Sequence, residues 1–332
     1  MDRVPVFVGI DYHPSVVQLC VKDAAGRDLG RARVGDSCEE IFQAVERFGQ
    51  ARRVAIEACC GAADLGEELA DRYGWSVDLA HPGYVNRMRQ TPDKSDLTDA
   101  QLLADLTRVG YLPKVWMAPH AVRELRLLVR HRQGLCNDRR DTKLRLRALL
   151  REQRVKEPPR PWTRPWLAWL KTSDAISAQG RWVLDEHLAH LEYTLARIKA
   201  AEAHLEQLTK GDQVVARLLE EPGIGRVTAW TLRAEIGRFD RFRNGRQLSR
   251  FCGLTPRNAS SGKKQADAGL VKAGNPQLRA ALIETAHRLA RYVPRWKDMK
   301  QRLKGRGKSG SETAAAIANR WTRGLYHRMI AA

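Results

Sequence analysis

A chain of 332 residues with 43% hydrophobic content and nine tryptophans is long enough for two folded domains, which excludes a disordered protein. Lysine and arginine number 58 against 38 acids, and the surplus of 20 positive charges favours a polyanionic partner. No apolar run approaches the roughly 20 residues that cross a bilayer, and Met1-Asp-Arg-Val4 lacks a signal peptide's apolar segment, so no membrane partner and a cytoplasmic location are expected.

Val4 to Ile10, Val16 to Lys22 and Gly30 to Val34 are rich in β-formers, and Ala24-Ala-Gly-Arg27 reads as a hairpin turn. A helical pattern follows around Ile41, Val45 and Phe48, then a strand at Val54 to Ala58, a helix near Asp64 to Tyr73 and a strand at Ser76 to Ala80. This β-β-β-α-β-α-β order predicts an α/β ribonuclease H-like layer. Its first and fourth strands lie side by side and parallel, so Asp11 and Glu57, each ending an apolar run, face one crevice.

Asp96 and Asp99 stand three apart in Lys94-Ser-Asp-Leu-Thr-Asp-Ala100, at the start of a segment with Leu102, Leu103 and Leu106, so both share one helix face. An isolated pair of this kind would be first-turn acids favoured by the helix dipole. Together with Asp11 and Glu57 they read as metal ligands, because four gathered carboxylates raise one another's pKa values unless cations neutralise them. Two divalent ions there would stabilise the attacking and leaving oxygens of a phosphodiester displacement.

Between Arg123 and Lys156 twelve Lys and Arg face four acids, interleaved with Leu125, Leu128, Leu135, Leu146 and Leu149. This is a basic amphipathic helix whose self-repulsion nearby phosphates would relieve, and Arg126, Arg130, Arg140, Lys143 and Arg147 are its candidate nucleic-acid contacts. Pro158-Pro-Arg-Pro161 breaks it and opens a segment with Trp162, Trp166, Trp169 and Trp182, expected to pack against helices rather than stack on bases. Leu184, Leu188, Leu191, Leu195, Ile198 and Leu205 then repeat at spacings of four and three, a short coiled-coil pattern that either closes a helix pair within the chain or joins subunits. Six cysteines (Cys20, Cys38, Cys59, Cys60, Cys136, Cys252) form no C-x-x-C pair and read as thiols of a reducing compartment rather than zinc ligands.

Glu221-Pro-Gly-Ile-Gly-Arg-Val-Thr-Ala229 has the turn and small-residue helix start of a helix-hairpin-helix element, with Gly223 and Gly225 allowing a phosphate close to the backbone. Phe251 to Lys264 and Lys272 to Arg279 follow, small, polar and cationic. A serine hydroxyl is a weak nucleophile until negative charge on it is stabilised, which Arg257, Lys263 and Lys264 could do for Ser261. Composition alone favours a plainer reading, a basic loop on phosphates that also includes Lys272 and Arg279.

In order and spacing, Gly9-Ile-Asp-Tyr-His13, Ile56-Glu-Ala58, Lys94 to Ala100, Pro222-Gly-Ile-Gly225, Gly253-Leu-Thr-Pro256, Ser261-Gly262 and Gly274-Asn-Pro-Gln-Leu-Arg279 resemble a known family over nearly the whole chain. The family is the DEDD transposases of bacterial insertion sequences, bridge-RNA-guided serine recombinases. The resemblance implies a RuvC-like domain over 1–115, in which Asp11, Glu57, Asp96 and Asp99 hold Mg2+ or Mn2+. It further implies a basic helical and coiled-coil region over 116–211, and a mostly α C-terminal transposase domain over 212–332. Ser261 matches the nucleophile, with Ser260 the neighbouring alternative, and would form a covalent phosphoserine intermediate. Donor and target DNA, a structured guide RNA, a homo-oligomer (dimer or tetramer) and a bacterial, nucleoid-associated location follow from the same resemblance. Pro14 and Cys59-Cys60 depart from the family pattern. Competing readings are a RuvC-like junction nuclease using two metals and water, and an architectural nucleic-acid-binding protein.

Overall fold

The computed structural model describes residues 4–89, 95–258, 267–271 and 273–331. The chain divides into two compact units between His120 and Ala121, so the regions expected at 116–211 and 212–332 fall largely within one unit.

The first unit is built on strands β1 (Pro5–His13), β2 (Val16–Lys22) and β3 (Asp28–Val34), helix α1 (Cys38–Glu46), strand β4 (Gln50–Glu57), helix α2 (Ala62–Tyr73), strand β5 (Val77–Ala80), helices α3 (Pro82–Met88) and α4 (Asp96–Arg108), and the short strand β6 (Lys114–Val115). The sheet order is β3-β2-β1-β4-β5-β6. As expected, β1 and β4 are neighbours and parallel, with Gly9 opposite Ala55 and Ile10 opposite Ile56. The turn at Asp23 to Arg27 joins antiparallel β2 and β3, with Gly26 at φ 90° as a tight turn requires.

One difference matters for the site. β1 does not stop near Ile10 but runs on to His13, because it continues its antiparallel ladder with β2 to the last pair, His13 opposite Val16. The sequence signal was cut short by the polar run Asp11-Tyr-His13, whose backbone groups are satisfied by that ladder.

The two faces of the sheet carry different side chains. Val6, Val8, Ile10, Val54 and Ile56 point to one side and form a core with Ile41 and Val45 of α1 and Leu65 and Leu69 of α2. Burying each such aliphatic side chain contributes about 1.5–3 kcal/mol. The opposite face is lined by small residues. Ala55 and Ala80 pack with Val85, Leu103 and Leu106, and Cys20 with Ala100 and Ala104, so α4 lies directly over β1, β2 and β4.

The second unit begins with the long helix α5 (His120–Glu152), followed by α6 (Arg164–Thr172) and α7 (Ala178–Leu208). Leu146 and Leu150 meet Leu184, Leu188 and Leu191, and Arg132 pairs with Glu202, so α5 and α7 run antiparallel. The leucine seam of α7 is thus closed within the chain. Leu195 departs from it at 38% exposure, and Thr194 is buried in its neighbourhood instead. Trp162, Trp166 and Trp169 cluster at ring separations of 4.8 and 5.9 Å, with Trp166 buried, while Trp182 is exposed.

The remaining elements are α8 (Gln213–Glu220), α9 (Arg226–Ile236), α10 (Gly245–Phe251), the hairpin strands β7 (Pro256–Asn258) and β8 (Asp267–Leu270), α11 (Pro276–Tyr292), α12 (Pro294–Gly305) and α13 (Gly310–Ile330). Leu218, Trp230, Leu232, Leu248, Leu282, Ile317, Trp321 and Leu325 form their common core, which Leu125, Val129 and Leu205 extend onto α5 and α7. Among the described residues no helix is long and apolar enough to cross a membrane.

Candidate active site

The acid site is assembled by strand alternation. A Cβ on Gly9 would lie 1.9 Å from the Ala100 carbonyl oxygen, so position 9 points at α4. With a period of two, Asp11 and His13 point to the same side of β1. The parallel register places Glu57, two residues beyond Ala55, on that side at the end of β4. Both acids therefore stand at the C-terminal edge of the two central parallel strands, where open α/β sheets form their crevice.

The start of α4 supplies the other two acids. Ser95 caps the helix through a reciprocal box with Thr98, which puts Asp96 and Asp99 in the first turn, where the helix dipole favours negative charge. Asp99 is buried and ion-paired to Arg89, the residue that ends α3. Asp96 is largely exposed and faces His13, whose Nε2 lies 3.8 Å from Asp96 Oδ1 and 3.4 Å from Asp11 Oδ2.

Among the described residues, Asp11, His13 and Asp96 form a group of ligand atoms all within 4.8 Å of one another. Glu57 and Asp99 are not members of that group. Burial holds the Asp11 carboxyl above its ordinary range, and the nearby charges of Asp99 and Asp96 push the same way against the opposing pull of His13. The Cys59 thiol is likewise pushed up by burial and then by Glu57 and Asp11, which places it within the field of both acids. The donor set of carboxylate oxygens with one imidazole nitrogen suits a divalent cation.

Two residues of this site, His13 and Arg89, were not singled out from the sequence. His13 was legible as the second residue after Asp11 on one strand, but only if the strand was known to reach it. Arg89 follows Arg87 in an unremarkable basic stretch, and nothing local to it signals a partner ten residues away.

Ser260, Ser261, Lys263, Lys264 and Lys272 lie outside the described residues. Strands β7 and β8 pair antiparallel, Pro256 with Leu270 and Asn258 with Asp267. Gly253, three residues before β7, adopts φ 68°, and a Cβ on Gly274 would lie 2.4 Å from the Gly253 Cα, so only glycines allow the two chain segments to touch there. Arg257 is exposed, and Arg279 donates to the Val271 carbonyl at 3.1 Å. Asn275 caps α11 and donates from Nδ2 to Glu235 at 2.8 Å.

Several expected nucleic-acid contacts have partners inside the chain. Arg126 donates to the Ala234 carbonyl at 3.1 Å and lies 3.7 Å from the buried Glu235, to which Arg130 donates at 2.9 Å. Arg147 binds Glu157, Arg140 binds Asp141, and Lys143 sits 4.5 Å above the Trp162 ring. Gly223 adopts φ 83° in the turn between α8 and α9, its carbonyl accepting from Arg288, and Gly225 is the N-cap of α9. An open cavity of about 760 Å³ beside this turn is lined by Gly223, Gly225, Arg226, Lys199 and Arg288.

Two family models match the chain. One, described as a transposase of the DEDD type, covers residues 8–154 and includes every acid of the site, and the other, the transposase IS116/IS110/IS902 family, covers residues 215–301. The chain is 29% identical to "Probable family 20 transposase" of Pseudomonas aeruginosa, over 96% of this chain and 91% of that protein. It is 28% identical to "Transposase for insertion sequence element IS1111A" of Coxiella burnetii, over 88% of this chain and 80% of that protein. The first model takes in the acid site and the second most of the helices α8 to α12, and the chain belongs to the DEDD transposases of the IS116/IS110/IS902 family and is a DNA transposase.

Proposed function

We propose that the protein cuts and rejoins the DNA of an insertion sequence with the two chemistries divided between its two units. Asp11, Glu57, Asp96 and Asp99 would hold divalent cations, Mg2+ or Mn2+. Bound there, a divalent cation supplies charge neutralisation for the phosphodiester oxygens during displacement. The observation that carries this reading is the grouping of Asp11, His13 and Asp96 ligand atoms within 4.8 Å of one another, with Glu57 at the end of β4 beside β1 and Asp99 in the same first turn of α4 as Asp96.

On this reading the residues of the first unit position and neutralise. Asp11 and Asp96 would face the cation that neutralises the reacting phosphate, while Arg89 pairs with Asp99 until a cation takes its place on that carboxylate. Ser261 is the proposed nucleophile, attacking a DNA phosphorus to give a phosphoserine linkage and releasing the DNA hydroxyl, with Ser260 the neighbouring alternative. Support for this reading comes from the cations that neighbour Ser261 in the sequence, Arg257, Lys263 and Lys264. Donor and target DNA, a structured guide RNA and a dimeric or tetrameric assembly complete the proposal. The diffuse positive charge favours sequence-independent backbone contacts, which leaves sequence choice to a pairing RNA.

Recombination of a donor–target plasmid pair tests it. Ser261→Ala is expected to abolish strand exchange and the denaturation-resistant protein–DNA adduct, with DNA binding retained. Normal exchange in both Ser261→Ala and Ser260→Ala would remove these serines from the chemistry, and exchange with no adduct in the unaltered protein either would leave a water-using nuclease.

A further inference from the structure

The carboxylates account for only part of the donor set at the sheet edge. His13 is the last residue of β1, and its ladder to Val16 fixes it on the same face as Asp11. One imidazole nitrogen, Nε2, is directed at both Asp11 Oδ2 (3.4 Å) and Asp96 Oδ1 (3.8 Å). Atoms bound to one ion at about 2.0–2.2 Å lie no more than about 4.4 Å apart, and both separations fall inside that limit. The side chain is 57% exposed, so packing does not compel it to lie over the acids.

Resting on the cation-site reading above, we propose that His13 is itself a ligand, its Nε2 joining Asp11 and Asp96 in a mixed nitrogen–oxygen site selective for a first-row transition ion over Mg2+. Mg2+ takes oxygen donors and gives up its waters reluctantly, so an imidazole contributes little to holding it. Transition ions accept imidazole readily. His13 therefore sets which cation the site retains, separately from the acids that set how much charge it neutralises.

Purified full-length protein loaded with Mn2+ allows a test independent of turnover. Pulsed electron paramagnetic resonance is expected to show 14N modulation from a bound imidazole in the wild type and none in His13→Ala. Titration calorimetry of the same variant is expected to show Mn2+ affinity reduced about tenfold or more, with Mg2+ affinity changed much less. His13→Asp, which keeps a donor but removes the nitrogen, is expected to abolish the modulation and shift preference toward Mg2+. Mn2+ binding that Asp11→Asn abolishes but that shows no nitrogen modulation would overturn the role of His13 and leave the carboxylate site standing. Absence of Mn2+ and Mg2+ binding in the wild type would overturn the site and the ligand together. Circular dichroism of His13→Ala should match the wild type, since the side chain is half exposed and fills no core.

Discussion

Gly9→Ala is the smallest change that should dismantle the acid site without touching an acid. The added methyl would meet the Ala100 carbonyl oxygen at 1.9 Å and the Ala104 amide nitrogen at 2.5 Å. Both are backbone atoms in the middle of α4, so no side chain can swing aside. Restoring ordinary contact near 3.4 Å requires α4 to retreat from β1 by about 1.5 Å. Overpacking of this kind costs about 1–3 kcal/mol where side chains can adjust, and a rigid helix backbone puts the substitution at or above the upper end. The displaced helix carries Asp96 and Asp99 away from Asp11 and His13, and a shift of about 1 Å in a catalytic group can reduce a rate ~100-fold. Urea unfolding should show a loss of about 3 kcal/mol, and Mn2+ titration of the folded variant should show weakened binding. Wild-type stability together with wild-type Mn2+ affinity would mean that α4 does not lie against Gly9, and the derivation of the site from strand alternation would fail.

Two further outcomes test the electrostatics. Arg89→Met leaves Asp99 buried without its partner, which should destabilise the metal-free protein by about 3–5 kcal/mol; divalent cation at 100 times its dissociation constant should return about 2.7 kcal/mol, and a melting temperature indifferent to cation would separate Asp99 from the metal site. The hydrogen bond from Arg31 and then the Lys22 ammonium hold Asp28 down at about 2, so its stabilisation is complete above the ordinary carboxylate value and lost as pH falls from there toward 2. Asp28→Asn should lower stability at neutral pH by about 1–2 kcal/mol and flatten that acid limb, as read by unfolding at a series of pH values; an unchanged limb would assign the acid sensitivity to other carboxylates.

The sheet was legible because its strands alternate or run apolar over several residues, as in Val16 to Lys22, and because the order of elements admits few topologies. The end of β1 was not, since Asp11-Tyr-His13 has no apolar signal and is extended by pairing with a strand the local sequence cannot see. Asp96 and Asp99 were legible through their spacing ahead of Leu102, Leu103 and Leu106. Their unequal fates were not: Asp99 meets Arg89 only because α3 ends beside α4, a tertiary fact. The seam on α7 was visible as a period, but a period names no partner, and it was the antiparallel return of α5 that closed it within the chain.

The arginines of α5 show how counting charge along a window misleads. Glu235, Glu202 and Glu157, which face Arg126 and Arg130, Arg132 and Arg147, all come from outside the helix. Those guanidiniums have largely shed their counterions on folding and have few left to release to a polyanion. The ionic-strength dependence of nucleic-acid binding should accordingly be governed by cations without such carboxylates, and a mutational survey of binding would do best to begin with those.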